Sequence, residues 1–138
     1  MRYLLDTNAC IALINKTSSA VRIRLDRVLE EGSEVFTSTV VSFELWYGVH
    51  RSARKETNAK RVDMFFAGPI RVLAFEQEDA RSAGQIRAAL ETAGRTIGAY
   101  DTMIAGQAVR NKLTLVTANT REFGRVEKLF WEDWAKPS

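Results

Sequence analysis

The sequence predicts an α/β fold built on a parallel sheet, and two observations carry that expectation. Short apolar runs alternate along the chain with longer helix-like ones, the pattern of strands joined by crossover helices. The first run, RYLL, also stops abruptly on Asp6, and the apolar residues that resume after it, Cys10 to Ile14, are too many and too crowded for the same strand. A strand therefore hands over to a helix at Asp6.

Strand-like runs fall at residues 3–5, 34–37, 70–75, 114–117 and 129–131. Between them, residues 18–31 read as a helix ended by Gly32, residues 39–53 and 57–67 as two more with Gly68-Pro69 as a stop, and residues 77–93 as a fourth followed by Gly94. Residues 99–111 complete the set, and Lys112 leads into the fourth strand. No internal repeat, low-complexity tract or linker rich in proline or serine interrupts the pattern. A single domain over residues 1–138 is the expectation.

Composition narrows the function classes. A chain of 138 residues, 46% hydrophobic, can bury a proper core. No apolar stretch reaches the ~20 residues a spanning helix requires, and the N-terminus lacks the order of a signal peptide, so a cytoplasmic protein without membrane attachment is expected. Cys10 is the single cysteine, which excludes an internal disulfide, and His50 is the single histidine, which excludes catalysis by a histidine pair. His50 stands in a polar basic stretch and reads as a surface residue. A net charge of +3 is compatible with a polyanionic partner but too small to demonstrate one.

In open parallel sheets, ligands bind beyond the carboxyl ends of the strands. Asp6 lies at such an end, as do Ser38-Thr39 and Thr117-Ala118-Asn119. Two further carboxylates stand on apolar helix faces. Glu44, in TVVSFELWYGV, has Val40 and Val41 one turn before it and Tyr47 and Gly48 one turn after, with no lysine or arginine at those positions. Asp101, in GAYDTMIAGQAV, leads a stripe of Ile104, Ala105 and Ala108. Helix capping is a second account of Asp6 and of Asp101, but not of the mid-helix Glu44. A divalent cation would give all three one shared reason, because unpaired buried carboxylates are strongly disfavoured. Oxygen-only ligands favour Mg²⁺ or Mn²⁺.

LLDTN, STVVSFELWYGV, IGAYDTMIAGQA, LVTANTREFGRV and a terminal EDW, in that order, resemble the PIN-domain ribonucleases, and among them the VapC toxins of bacterial toxin–antitoxin pairs. The resemblance spans essentially the whole chain. It implies a three-layer α/β/α sandwich with a central, mainly parallel five-stranded sheet and an acidic pocket at its carboxyl edge. Asp6, Glu44 and Asp101 fall on three acidic positions of that pocket. At the fourth, Asn119 stands where many members have aspartate, and Glu122 is the alternative source of acidity. One well-held metal with a weaker second site follows. Thr7 and Thr117 stand beside the acids as supporting hydroxyls.

A cation held by carboxylates polarises a phosphoryl oxygen and activates water, which suits hydrolysis of RNA to 5′-phosphate and 3′-hydroxyl ends. Asp6 and Asp101 are the expected principal ligands, with Glu44 a ligand or a water-orienting base. Arg22, Arg24, Arg51, Arg54, Lys55 and Arg61 are the candidates for RNA phosphates. Phe43, Trp46 and Tyr47 are too many large groups for one buried stripe, so some are expected to face a partner. The resemblance implies a homodimer silenced by a VapB-like, DNA-binding antitoxin whose tail folds onto the toxin. Trp131 and Trp134 are expected to pack the last strand against the sheet. A haloacid-dehalogenase type of phosphotransfer needs a second acid where Asn8 stands. A PIN-like scaffold that binds without cutting is the other alternative.

Overall fold

The computed structural model describes residues 1–136. The last two residues of the expected 1–138 unit lie outside that range. Twelve elements follow in order: β1 (Arg2–Leu5), α1 (Thr7–Asn15), α2 (Ser19–Glu30), β2 (Glu34–Ser38), α3 (Thr39–Arg51), α4 (Lys55–Phe66), β3 (Arg71–Leu73), α5 (Gln77–Thr92), α6 (Ala99–Asn111), β4 (Thr114–Val116), α7 (Thr120–Phe123) and β5 (Trp131–Glu132). The strands form one five-stranded sheet in the order β3-β2-β1-β4-β5, with every pairing parallel. The α/β/α sandwich expected from the sequence is the fold observed. No helix among the described residues is long and apolar enough to cross a membrane.

The central strand explains the layering. Tyr3, Leu4 and Leu5 are all buried, and so are Leu115 and Val116 in β4, which requires cover on both faces of the sheet. Helices α1 to α4 pack among themselves, and α5 packs closely along α6. That second pairing depends on Gly106. A Cβ there would stand 2.6 Å from the backbone of Ala83, so only glycine lets the two helices approach so closely. Gly94 follows α5 in the left-handed conformation, φ +67°, as the stop signal in the sequence requires.

Several boundaries differ from expectation: β3 is confined to Arg71–Leu73 within the expected 70–75, and α3 stops at Arg51 rather than residue 53. Helix α4 starts at Lys55 rather than residue 57. Strand β5 is Trp131–Glu132 rather than 129–131, because Leu129 is buried as core ahead of the paired segment. As an edge strand, β5 leaves Trp131 40% exposed, and only Trp134 is buried, edge-on to Tyr3 at 5.2 Å. The four-residue α7 is too short to leave a helical period in the sequence.

The chain runs outward from β1 through β2 to β3, then crosses back to place β4 on the other edge of β1. The topology reverses between β1 and β4, and the carboxyl ends of those two strands are where a sheet of this kind forms its ligand crevice.

Candidate active site

Asp6 follows β1 directly at this crevice. Its backbone N–H donates to the Val116 carbonyl at 3.1 Å, so the strand pairing itself fixes where the residue sits. Its Oδ1 accepts the Ala9 N–H at 2.8 Å and so caps α1. Both sequence accounts of Asp6 therefore hold in space: it is a helix cap, and it is a buried carboxylate at a strand end. Burial raises its proton affinity above the ordinary value, the Thr117 hydroxyl and the Ala9 N–H counter this, and Glu44 and Asp133 push in the same direction as burial.

Glu44 reaches the crevice from α3. Ser38, buried at the end of β2, caps that helix by accepting the Val40 N–H at 3.0 Å. Glu44 lies half-buried one and a half turns in, and its Oε1 accepts the Thr7 hydroxyl at 2.6 Å. Thr7 is thus the link between the Asp6 segment and Glu44.

Asp101 stands in the first turn of α6, whose N-cap is Gly98 and which has no side-chain cap. The capping account of Asp101 is therefore wrong. Its carboxylate is half-buried, and its pKa is pushed up from 3.8 to about 6, first by burial and then by Glu44, Asp6 and Glu122. Those three carboxylates, from three other segments, converge closely enough on Asp101 to act on its charge. Asn119 donates from Nδ2 to Glu122 Oε2 at 3.3 Å, so the two candidates for the fourth position touch each other. The Thr117 hydroxyl accepts the Asn119 N–H at 2.9 Å and orients the turn.

Among the described residues, no lysine or arginine forms an ion pair with Asp6, Glu44, Asp101 or Glu122. Mutually repelling carboxylates without a protein cation form a donor set of the kind a hard divalent ion takes. As the side chains stand, no three of the described His, Cys, Asp or Glu residues are close enough to share one ion. The chemistry of the donors fits such an ion, and the carboxylates must draw together to hold it.

The basic candidates separate. Arg24 is committed elsewhere: its Nη2 pairs with Glu132 Oε1 at 3.1 Å, the same oxygen accepts the Trp134 indole N–H at 3.0 Å, and the guanidinium lies over the Trp134 ring. This clasp ties α2 to β5 and the segment after it. Arg22 makes an exposed pair with Asp26 at 3.4 Å. Arg61 and Glu44 line one groove of about 370 Å³ between α1, α3 and α4. Arg51 lies against Tyr47, bonding its hydroxyl at 3.0 Å. Arg54 and Lys55 are exposed at the start of α4. Phe43 and Tyr47 are more than half exposed, and Phe43 meets Tyr100 at 5.4 Å.

Asp133 is the residue that sequence reasoning missed. The sheet register sets Leu5, Val116 and Glu132 side by side, so Asp6, Thr117 and Asp133 form the next row across three strand ends. A correctly bounded β5 was the signal that would have found it.

A five-stranded parallel sheet with carboxylates gathered at its switch point meets its counterpart in known proteins: the PIN domain profile matches residues 3–129. The chain belongs to the PIN-domain family, in its VapC ribonuclease branch. It is 41% identical over 135 residues to the tRNA(fMet)-specific endonuclease VapC of Shigella flexneri, covering 98% of this chain and 99% of that one. It is 36% identical over 136 residues to ribonuclease VapC2 of Rickettsia felis, covering 99% and 100%. A chain of the crystal structure of VapBC2 from Rickettsia felis, bound to a DNA fragment from their promoter, superposes with a TM-score of 0.90 at 35% identity, covering 97% of this chain and 99% of that one.

Proposed function

We propose that this chain is a VapC-type endoribonuclease toxin that hydrolyses RNA phosphodiester bonds at the cluster of Asp6, Glu44 and Asp101, and that an antitoxin holds it in check. One observation carries the assignment. Three carboxylates from separate elements gather toward one strand-end crevice, and among the described residues no lysine or arginine pairs with any of them. Membership of the VapC branch supports the same chemistry, and the Rickettsia felis assembly with promoter DNA supports a partner that itself binds DNA.

Asp6 is oriented by the Ala9 N–H and Glu44 by the Thr7 hydroxyl, each through one of its two oxygens. Asp101 makes no side-chain hydrogen bond within the described residues, and its oxygens are the least constrained of the cluster. Asp6, Asp101 and Glu44 would hold Mg²⁺ or Mn²⁺, which supplies charge neutralisation and Lewis acidity toward the scissile phosphate. Asn119 donates from Nδ2 to Glu122 while its side-chain Oδ1 takes no donor among the described residues, which leaves an acceptor to orient a water or a ribose hydroxyl. Water rather than the RNA 2′-hydroxyl is the nucleophile, so the products carry 5′-phosphate and 3′-hydroxyl ends.

The test is cleavage of an RNA pool that includes tRNA, chosen because a 41% identical relative is named for tRNA(fMet). Purified protein is assayed with Mg²⁺, Mn²⁺ or EDTA beside Asp6→Asn, and product ends are sequenced. Cuts that need the cation and vanish in the variant are the expected result. No cutting by folded, antitoxin-free protein under any cation would refute the assignment in favour of a binding scaffold.

A further inference from the structure

Among the described basic residues that form no salt bridge, two groups lie on segments near the candidate site, and only one is where the sequence places the RNA contacts. Arg51, Arg54, Lys55 and Arg61 form the first, on α3 and α4. Arg95, Arg121 and Arg125 form the second, in the α5–α6 connection, on α7 and just after it. Arg95 and Arg121 are exposed. Arg125 is half-buried, and its Nη1 donates to the Thr96 carbonyl at 2.8 Å. That bond holds the α5–α6 connection, which carries Arg95 next to Thr96, against the segment that follows α7. Arg121 and Arg125 are four residues apart across the helix end, where the Arg125 N–H bonds the Glu122 carbonyl at 3.0 Å.

Glu122 joins this patch to the acid cluster. It is adjacent to Arg121 in the chain, accepts from Asn119, and lies close enough to Asp101 to raise its pKa. Strand order then places the two basic groups. The first follows β2, Arg121 and Arg125 follow β4 with the Arg95 segment tied to Arg125, and β1, which delivers Asp6, runs between those strands. An RNA strand crossing the acids has phosphates on both sides of the scissile one, and an acidic pocket alone repels it. Arginine's planar fork suits phosphate oxygens, and such contacts position a strand without reading its sequence.

We propose that Arg95, Arg121 and Arg125 form a phosphate-binding surface that holds the RNA strand on the β4 side of the acid cluster. This rests on the assignment of RNA as substrate. The test is fluorescence anisotropy of a labelled single-stranded RNA with the full chain in EDTA, between about 50 and about 200 mM salt. Arg121→Gln alone and Arg95→Gln/Arg121→Gln together are compared with Arg81→Gln/Arg87→Gln, which removes the same charge from the exposed face of α5. Arg95→Gln/Arg121→Gln is expected to weaken binding about tenfold at low salt and to reduce the slope of log affinity against log salt by about 0.7 for each RNA phosphate no longer neutralised. The α5 pair should leave the slope at the wild-type value. An unchanged slope in Arg95→Gln/Arg121→Gln, or an equal loss in the α5 control, overturns the proposal. Wild-type protein that neither binds nor cuts RNA overturns the substrate assignment itself, and that outcome shows in the wild-type arm alone.

Discussion

Asp101→Asn should stabilise the protein when no divalent cation is present. The carboxylate has a pKa near 6 in the folded chain against an ordinary 3.8, a displacement equivalent to about 3 kcal/mol. Asp101 is only half-buried, and solvent screening reduces that to about 1–1.5 kcal/mol. The sign follows from linkage. The folded state binds this proton more tightly than the unfolded one, so the contribution is favourable at low pH and is lost as pH rises through about 6. Asparagine mimics the neutral form at every pH. Melting in EDTA should therefore show the variant about 3–6 °C above wild type at pH 8, with the gap closing as the solution is taken below pH 6. Saturating Mg²⁺ or Mn²⁺ should reverse the order, because wild type gains from binding and the variant gains less. A gap that stays constant across the pH range, or a variant that melts below wild type in EDTA at pH 8, would refute the picture of a desolvated, crowded carboxylate.

Gly106→Ala should cost about 1–3 kcal/mol in thermal or urea unfolding, since its new methyl meets the Ala83 backbone at 2.6 Å and α5 and α6 must part. An unaltered melting temperature would show that the pair yields freely. Thr7→Val removes the 2.6 Å bond to Glu44 and should lower the cleavage rate about tenfold with the fold intact by circular dichroism. Equal rates would mean that Glu44 needs no such support. Cys10 is fully buried with its thiol pushed up to about 12, so it should resist iodoacetamide until the chain is denatured. Rapid labelling of native protein would contradict that burial.

Local pattern made the strands and most helices legible, because apolar spacing reports burial wherever an element is long enough to repeat. It was weakest at the sheet edge. Leu129 is as buried as a strand residue yet precedes β5, and α7 spans a single turn. At the site, Glu44 and Asp101 stood out as carboxylates on apolar faces, and the structure brings both toward Asp6. What stayed hidden depended on partners far along the chain. The Arg24–Glu132 pair joins residues separated by 108 positions, and nothing near Arg24 announces it. Asp133 was missed because its place follows from the register of β5 against β4. The spacing that made Asp101 resemble a cap could not foresee that Gly98 would take that position.

The position of β1 has a consequence for how the chain is made. Asp6 is among the first residues synthesised, but the strand that completes its crevice, β4, begins at Thr114. A growing chain that has passed Asp101 already holds all three principal acids while the second edge of β1 is still unpaired. Without β4 in place, neither the Asp6 N–H bond to the Val116 carbonyl nor the row of Asp6, Thr117 and Asp133 can form. The sheet order thus makes the placing of Asp6 depend on a strand far along the chain.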